Sequence, residues 1–262
     1  AICANAAVNS TYGGCYWGDV ELTGNTVTAE SVTASTAYAV YVLAATAHIF
    51  KDANTTTAPI YYGEYATAAK AVINSGTYTA KTKTTTAYAV CSSTRAKTVY
   101  DSETKVEANR KLGGNAEAYP TVIIHGGTFR GEATTTTSRA VSTGGYTTIN
   151  GGTFEAYSGT TTAYGLCCVS GTMKATNAVV TASATGTAYG AFASCGIPDN
   201  TTAQTGFAYA GDMTLTNCTI TATTRTGTEA RGVFVNATNK LHTFAQFVTD
   251  STTRKWSAAT AA

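Results

Sequence analysis

The chain has 262 residues, a net charge of +2 and only 12% charged side chains, so it offers no basic surface of the kind that neutralises nucleic-acid phosphates or anionic lipid. Its 55 threonines against six leucines, with 25 glycines and three prolines, exclude a mainly helical protein, because β-branched Thr favours extended backbone while helices draw on Leu, Glu and Lys. No apolar run reaches the roughly 18 residues of a membrane span; the longest, 37–47, is short and rich in Ala and Tyr.

Residues 1–16 carry no repeat and are expected to form an N-terminal cap or assembly segment. Repetition starts at residue 17. WGDVEL (17–22) leads into LTGNTVTA (22–29), and TAYAV (36–40) follows. The second motif type recurs without gaps as INSGTYTA (73–80), IHGGTFRG (124–131), INGGTFEA (149–156), ATNAVVTA (175–182) and LTNCTITA (215–222). The third recurs as TAYAV (86–90), TSRAV (137–141), TAYGL (162–166), TAYGA (187–191) and EARGV (229–233). Segments 45–71, 95–120 and 192–210 fit poorly and read as degenerate coils or loops, with the charged stretch 101–111 projecting outwards. Residues 238–262 read as a C-terminal cap or assembly segment.

Phe129, Phe154 and Val180 lie 25 or 26 residues apart, and Val27, Tyr78 and Phe129 are separated by 51, which reads as two periods. A period near 25 is too short for a pair of helices and suits one coil of a β-solenoid with two or three short strands. Val27, Tyr78, Phe129, Phe154, Val180 and Ile220 then form one inward core column, stacked at about 4.8 Å per coil. The Gly/Asn/Ser pair before each of them supplies the left-handed dihedrals of a sharp turn. Tyr38, Tyr88, Arg139, Tyr164, Tyr189 and Arg231 form an outward stacked ladder, in which Arg139 is expected over Tyr164 as a cation–π contact. Arg130 and Glu155 are expected to touch as an exposed ion pair.

The coils TLTNCTITA and TINGGTFEA resemble those of the pectin-lyase-like β-helix superfamily and the GGTF-type repeats of bacterial surface and adhesin proteins. The resemblance covers about residues 17–237. It implies an all-β, single-stranded right-handed parallel β-helix (β-solenoid) with coils of about 25 residues. Function does not follow from the fold, which hosts lyases, hydrolases, adhesins and passive stalks.

The family's enzymes use clustered Asp, often with Ca²⁺, or a Lys or Arg base. Here Asp19 and Asp212 share a column at least five coils apart, about 24 Å, far beyond the roughly 5–10 Å of cooperating glycosidase carboxylates. His48, His125 and His242 are scattered, no CxxC pair occurs among seven Cys, and Cys168 with Cys195 is a candidate disulfide against the simpler reading of buried thiols. No catalytic, cofactor-binding or metal-binding residue is assigned and no cofactor is expected. Asn9, Asn54, Asn200, Asn217 and Asn236 head Asn-x-Ser/Thr sequons at a frequency near chance. The Thr runs around Thr135 and Thr161 form a hydroxyl-rich edge suited to O-glycans or sugar contacts. The expected function is a structural extracellular or cell-surface solenoid, a subunit of a fibre or adhesin stalk, forming homo-oligomers or filaments through its ends. The alternatives are a polysaccharide-active lyase or hydrolase and a glycan-binding module.

Overall fold

The computed structural model describes residues 1–8, 15–33, 35–50, 62–94, 96–97, 117–196, 209–227, 229–237, 246–248 and 255–257. Among them there is no helix, and the body is a stack of parallel strands, the arrangement of a β-solenoid. Each rung contributes three strands, one to each of three faces. Rung 1 is Val20–Leu22, Asn25–Ser31 and Ala37–Val42; rung 2 is Lys70–Ile73, Gly76–Thr82 and Ala87–Thr94; rung 3 is Thr121–Ile124, Thr128–Ala133 and Ser138–Gly144. Rung 4 is Tyr146–Ile149, Gly152–Ser158 and Thr162–Cys168; rung 5 is Gly171–Thr176, Ala178–Ala184 and Thr187–Gly196; rung 6 is Tyr209–Thr216, Thr219–Thr224 and Glu229–Ala237. The second face is a six-stranded sheet. The first and third faces join into a 13-stranded sheet through the antiparallel pairs Cys195–Ala210 and Gly196–Tyr209.

Register sets the core. Val27 pairs with Tyr78, Tyr78 with Phe129, Phe129 with Phe154, Phe154 with Val180 and Val180 with Ile220, so the expected column is a single file of adjacent rungs. The three aromatic rings are fully buried and stack at 5.2 and 5.0 Å, each with an interplanar angle of 7°. Ile73, Ile124 and Ile149 line the first face, and Val40, Val90, Val141 and Leu166 line the third. Spacings of 51 therefore span one rung, not two. The extra residues leave the stack at the corner between the third and first faces. Antiparallel arms are formed there by Ala44–Phe50 with Tyr62–Ala68, and by Ala96–Lys97 with Glu117–Ala118. For 45–71 and 192–210, read as degenerate coils or loops, the first of these and the short pair of Cys195–Gly196 with Tyr209–Ala210 favour excursions from the stack over coils. The stretch 101–111 lies outside the described residues.

At the N-terminal side, Ile2–Ala4 pairs with Ala37–Val42 on the third face, and Ala6–Val8 forms a hairpin with Cys15–Trp17 at the same corner as the later hairpins. Gln246–Val248 and Lys255–Ser257 form a further antiparallel pair.

The turn from first to second face has two solutions. Rungs 1, 5 and 6 place Gly24, Asn177 and Asn217 at φ between 51° and 68°. Rungs 2, 3 and 4 instead place the following residue, Gly76, Gly127 or Gly152, at φ between 120° and 129°, a region that essentially only glycine occupies. These are the three rungs with an aromatic core residue. A Cβ on Gly127 or Gly152 would stand 3.3 Å from the ring two residues on. Glycine thus makes room for the ring as well as for the turn.

Candidate functional site

The outer side of the third face concentrates the chain's polar and aromatic chemistry. Successive inward residues such as Ala89 and Val90, both fully buried, break the simple alternation of the strand. Tyr88 and Cys91, three residues apart, consequently both face outwards in adjacent columns. One column is the expected ladder of Tyr38, Tyr88, Arg139, Tyr164, Tyr189 and Arg231, all on consecutive rungs. The other, which the sequence reading missed, holds Tyr41, Cys91, Ser142, Cys167, Phe192 and Phe234.

Tyr38 and Tyr88 stack at 5.1 Å, and Tyr164 and Tyr189 at 5.3 Å. Arg139 fills the gap between the pairs, its guanidinium carbon 5.3 Å from the Tyr88 ring centre and 5.1 Å from that of Tyr164. Its Nη1 donates to Tyr88 Oη and Ser142 Oγ, each at 3.3 Å, while its Nε is buried without a partner. Arg231, at the far end of the column, pairs with Glu229 and lies 4.0 Å over the Phe234 ring. Within each tyrosine pair the rings face one another along the stack.

This layer is chemically quiet. Burial pushes the Cys91 thiol up to about 12, outweighing the opposing pull of Arg139, and burial also raises Cys167. Cys168 is likewise pushed up to about 12 by burial, then by Cys167 and Asp212. It is a free thiol that donates to main-chain carbonyls, and its strand neighbour on rung 5 is Ala193. Burial, followed by Cys91 and Tyr88, pushes Tyr38 up to about 12. Neutral thiols and phenols supply neither a nucleophile nor a general base at neutral pH.

Carboxylates are spread along the stack, and several are engaged in it. Asp19 Oδ1 accepts the Lys70 amide at 2.8 Å, and Glu21 Oε1 accepts Asn74 Nδ2 at 2.8 Å. The first-face register runs from Lys70 through Thr121, Tyr146 and Thr172 to Asp212. Asp19 and Asp212 therefore stand five rung steps apart, about 24 Å. Arg130 bonds Glu155 at 3.2 Å and Glu132 at 3.3 Å, as expected for an exposed pair. His125 Nδ1 lies 3.1 Å from Asn150 Nδ2 on the next rung. Among the described residues no group of three or more His, Cys, Asp or Glu is placed to hold a metal ion.

The threonine corner between second and third faces is a hydrogen-bond ladder. Thr84, Thr135 and Thr160 are exposed or nearly so and donate through Oγ1 to the carbonyls of Thr33, Lys83 and Thr135 on the preceding rung, at 3.0, 2.7 and 2.6 Å. Thr161 is exposed, and its amide donates to Ser158 Oγ at 3.0 Å. Asn217 is exposed at its left-handed turn and Asn236 is half-buried; Asn9, Asn54 and Asn200 lie outside the described residues. At the opposite corner a buried hydroxyl chain of Ser92, Thr143, Thr147 and Ser170 satisfies the tight turns around Gly144 and Gly145.

Among the described residues no further rung follows the sixth. Val233 and Val235 occupy inward columns yet are 57% and 65% exposed. Ile220, Leu215 and Met213 are only partly buried, where their counterparts Phe154, Ile149 and Met173 are fully so. The strand Thr219–Thr224 ends the second-face sheet, and Asn25–Ser31 ends it on the other side. No helix among the described residues is long and apolar enough to cross a membrane. No family model, curated protein or solved structure matches this chain.

Proposed function

We propose that this chain is a structural extracellular or cell-surface β-solenoid, a fibre or adhesin-stalk segment that self-assembles end to end. The reading includes a single right-handed coil of the pectin-lyase-like kind, which the GGTF motifs resemble. The carrying observation is the last described rung, where apolar columns that are sealed in the middle of the stack stand exposed beside strand edges that pair with no other described strand. Such an edge is a template for another strand, and the exposed columns add apolar area to be buried when one arrives. The lyase or hydrolase alternative lacks support in the chemistry, because the described carboxylates are isolated or paired and the described buried thiols and phenols are protonated. Thr135 and Thr161 remain exposed acceptors for O-glycans at the corners, which intact-mass analysis of native material would reveal.

The test is electron microscopy and light scattering of the purified chain across a concentration series. Filaments with lengths in multiples of the solenoid are the expected result. Dispersed particles at high concentration, or measured turnover of polygalacturonate or alginate, would overturn the proposal.

A further inference from the structure

We infer that copies join through the third face alone, the strand Glu229–Ala237 of one copy pairing in parallel with Ile2–Ala4 of the next. The register continues the existing columns, with Val233 beside Ile2, Phe234 beside Cys3 and Val235 beside Ala4. This junction rests on the end-to-end reading above and specifies which surfaces meet.

A glycine carries the argument. On rungs 4 and 5 the third-face motif contains Gly165 and Gly190, where a Cβ would stand 2.5 Å from the Gly190 carbonyl oxygen and 2.7 Å from the Gly232 carbonyl oxygen. In each case the oxygen belongs to the following rung, and a side chain from that rung (Val180 or Ile220) comes within 2.2 Å as well. Gly232 continues this column, yet a Cβ on it would meet nothing within 4 Å among the described residues. Ala39, Ala89 and Ala140 hold the same column on rungs 1 to 3 beneath a following rung, so a small residue suffices there and Gly232 leaves at least that much room for a following strand. In the stated register the residue placed over Gly232 is Ala1, which precedes Ile2, and its carbonyl takes the place that the Gly232 carbonyl takes over Gly190.

The partner strand has the matching chemistry. Ile2–Ala4 already pairs on one edge with Ala37–Val42, Ile2 opposite Val40 and Ala4 opposite Val42, so Ile2 and Ala4 belong to the inward columns that end in Val233 and Val235. Its other edge meets no described strand. Cys3 is exposed and faces outwards, a small residue for the Phe234 ring to pack beside. Flush stacking of rung 6 on rung 1 would set Asp212 directly against Asp19 in one column, about 4.8 Å apart. An intervening strand on the third face doubles that distance.

Two variants test the junction. Phe234→Cys places a thiol opposite the natural Cys3 of the next copy at about 5 Å between Cα atoms, within disulfide reach. Mild oxidation of assembled protein should give a ladder of covalent multimers on a non-reducing gel, lost when Cys3→Ser is added. Gly232→Val should leave the melting curve of the dispersed chain unchanged while raising the concentration needed for filaments at least tenfold. Wild-type filaments that fail to cross-link through Phe234→Cys, or that form equally well with Gly232→Val, would overturn the register and leave end-to-end assembly standing. A lowered melting point for Gly232→Val with assembly intact would also overturn it, because the glycine would then be filled by the chain itself. A wild-type chain that never assembles would sink both proposals.

Discussion

Gly152→Ala tests the link between turn type and core aromatic. Alanine at φ 123° costs about 1–3 kcal/mol in backbone strain. Its Cβ would also stand 3.0 Å from the Gly127 carbonyl oxygen and 3.3 Å from Phe154 Cε2 and Cζ. Phe154→Val removes the ring contact and opens space in the stack, for about 2–3 kcal/mol, below the 3–5 of a full Phe→Ala truncation. If the ring and the glycine share that space, Gly152→Ala should cost about 1 kcal/mol less in the Phe154→Val background, within the range seen for contacting residues. Adding Gly151→Asn reproduces the Asn177, Ala178 and Val180 pattern of rung 5 and should recover still more, since asparagine there takes the left-handed turn. The measurement is urea denaturation followed by circular dichroism, comparing midpoints at constant slope. An equal cost of Gly152→Ala in both backgrounds, within about 0.3 kcal/mol, would refute the shared-space argument.

Four other outcomes follow from the third and second faces. Alkylating reagents at pH 8 should label Cys3, which is exposed, well ahead of half-buried Cys91 and leave buried Cys167 untouched until the chain unfolds; mass mapping reads the difference. The same burial makes the fold sensitive to alkali. The unfolded chain loses its thiol protons near an ordinary value of 9, whereas folded Cys91 holds its proton to about 12, so stability is full below pH 9 and falls as pH rises towards 12. The slope is about 1.4 kcal/mol per pH unit for that proton, visible in denaturation series. Arg139→Tyr makes the column tyrosine from Tyr38 to Tyr189 and removes a buried Nε that has no partner, so the melting temperature should rise, by the equivalent of about 1 kcal/mol; a fall would show that the cation–π sandwich outweighs its desolvation. A double-mutant cycle on Arg130 and Glu155 should give a coupling of at most about 1 kcal/mol, weakened by salt, because both side chains are well exposed.

The parts of the molecule that were legible in sequence are those where one rung dictates the next. Similar residues recur when they sit above one another, so the Val27-to-Ile220 core column, the Tyr38-to-Arg231 ladder and the Arg130–Glu155 contact all follow from aligned motifs. The second outer column was hidden because two inward residues in succession, Ala89 and Val90, defeat a reading based on strict alternation. Cys91 and Cys167 were therefore not placed beside Arg139 by the sequence.

Rung number is a different problem, because the stack does not register how much chain leaves and returns at a corner. Tyr78 pairs with Val27 across 51 residues by the same geometry that pairs Phe154 with Phe129 across 25. An interval of twice the repeat is therefore a coil and a hairpin as readily as two coils, and distance along the chain cannot decide. What decides is whether the intervening residues carry the columns. The 45–71 segment lacks the apolar–polar–Gly/Asn turn and the Tyr motif, and its strands Ala44–Phe50 and Tyr62–Ala68 pair antiparallel with each other. Gly232 obeys the converse rule. It carries a column feature with no described rung above it, which is why the end of the stack, rather than any cluster of reactive side chains, is where this chain's function should be sought.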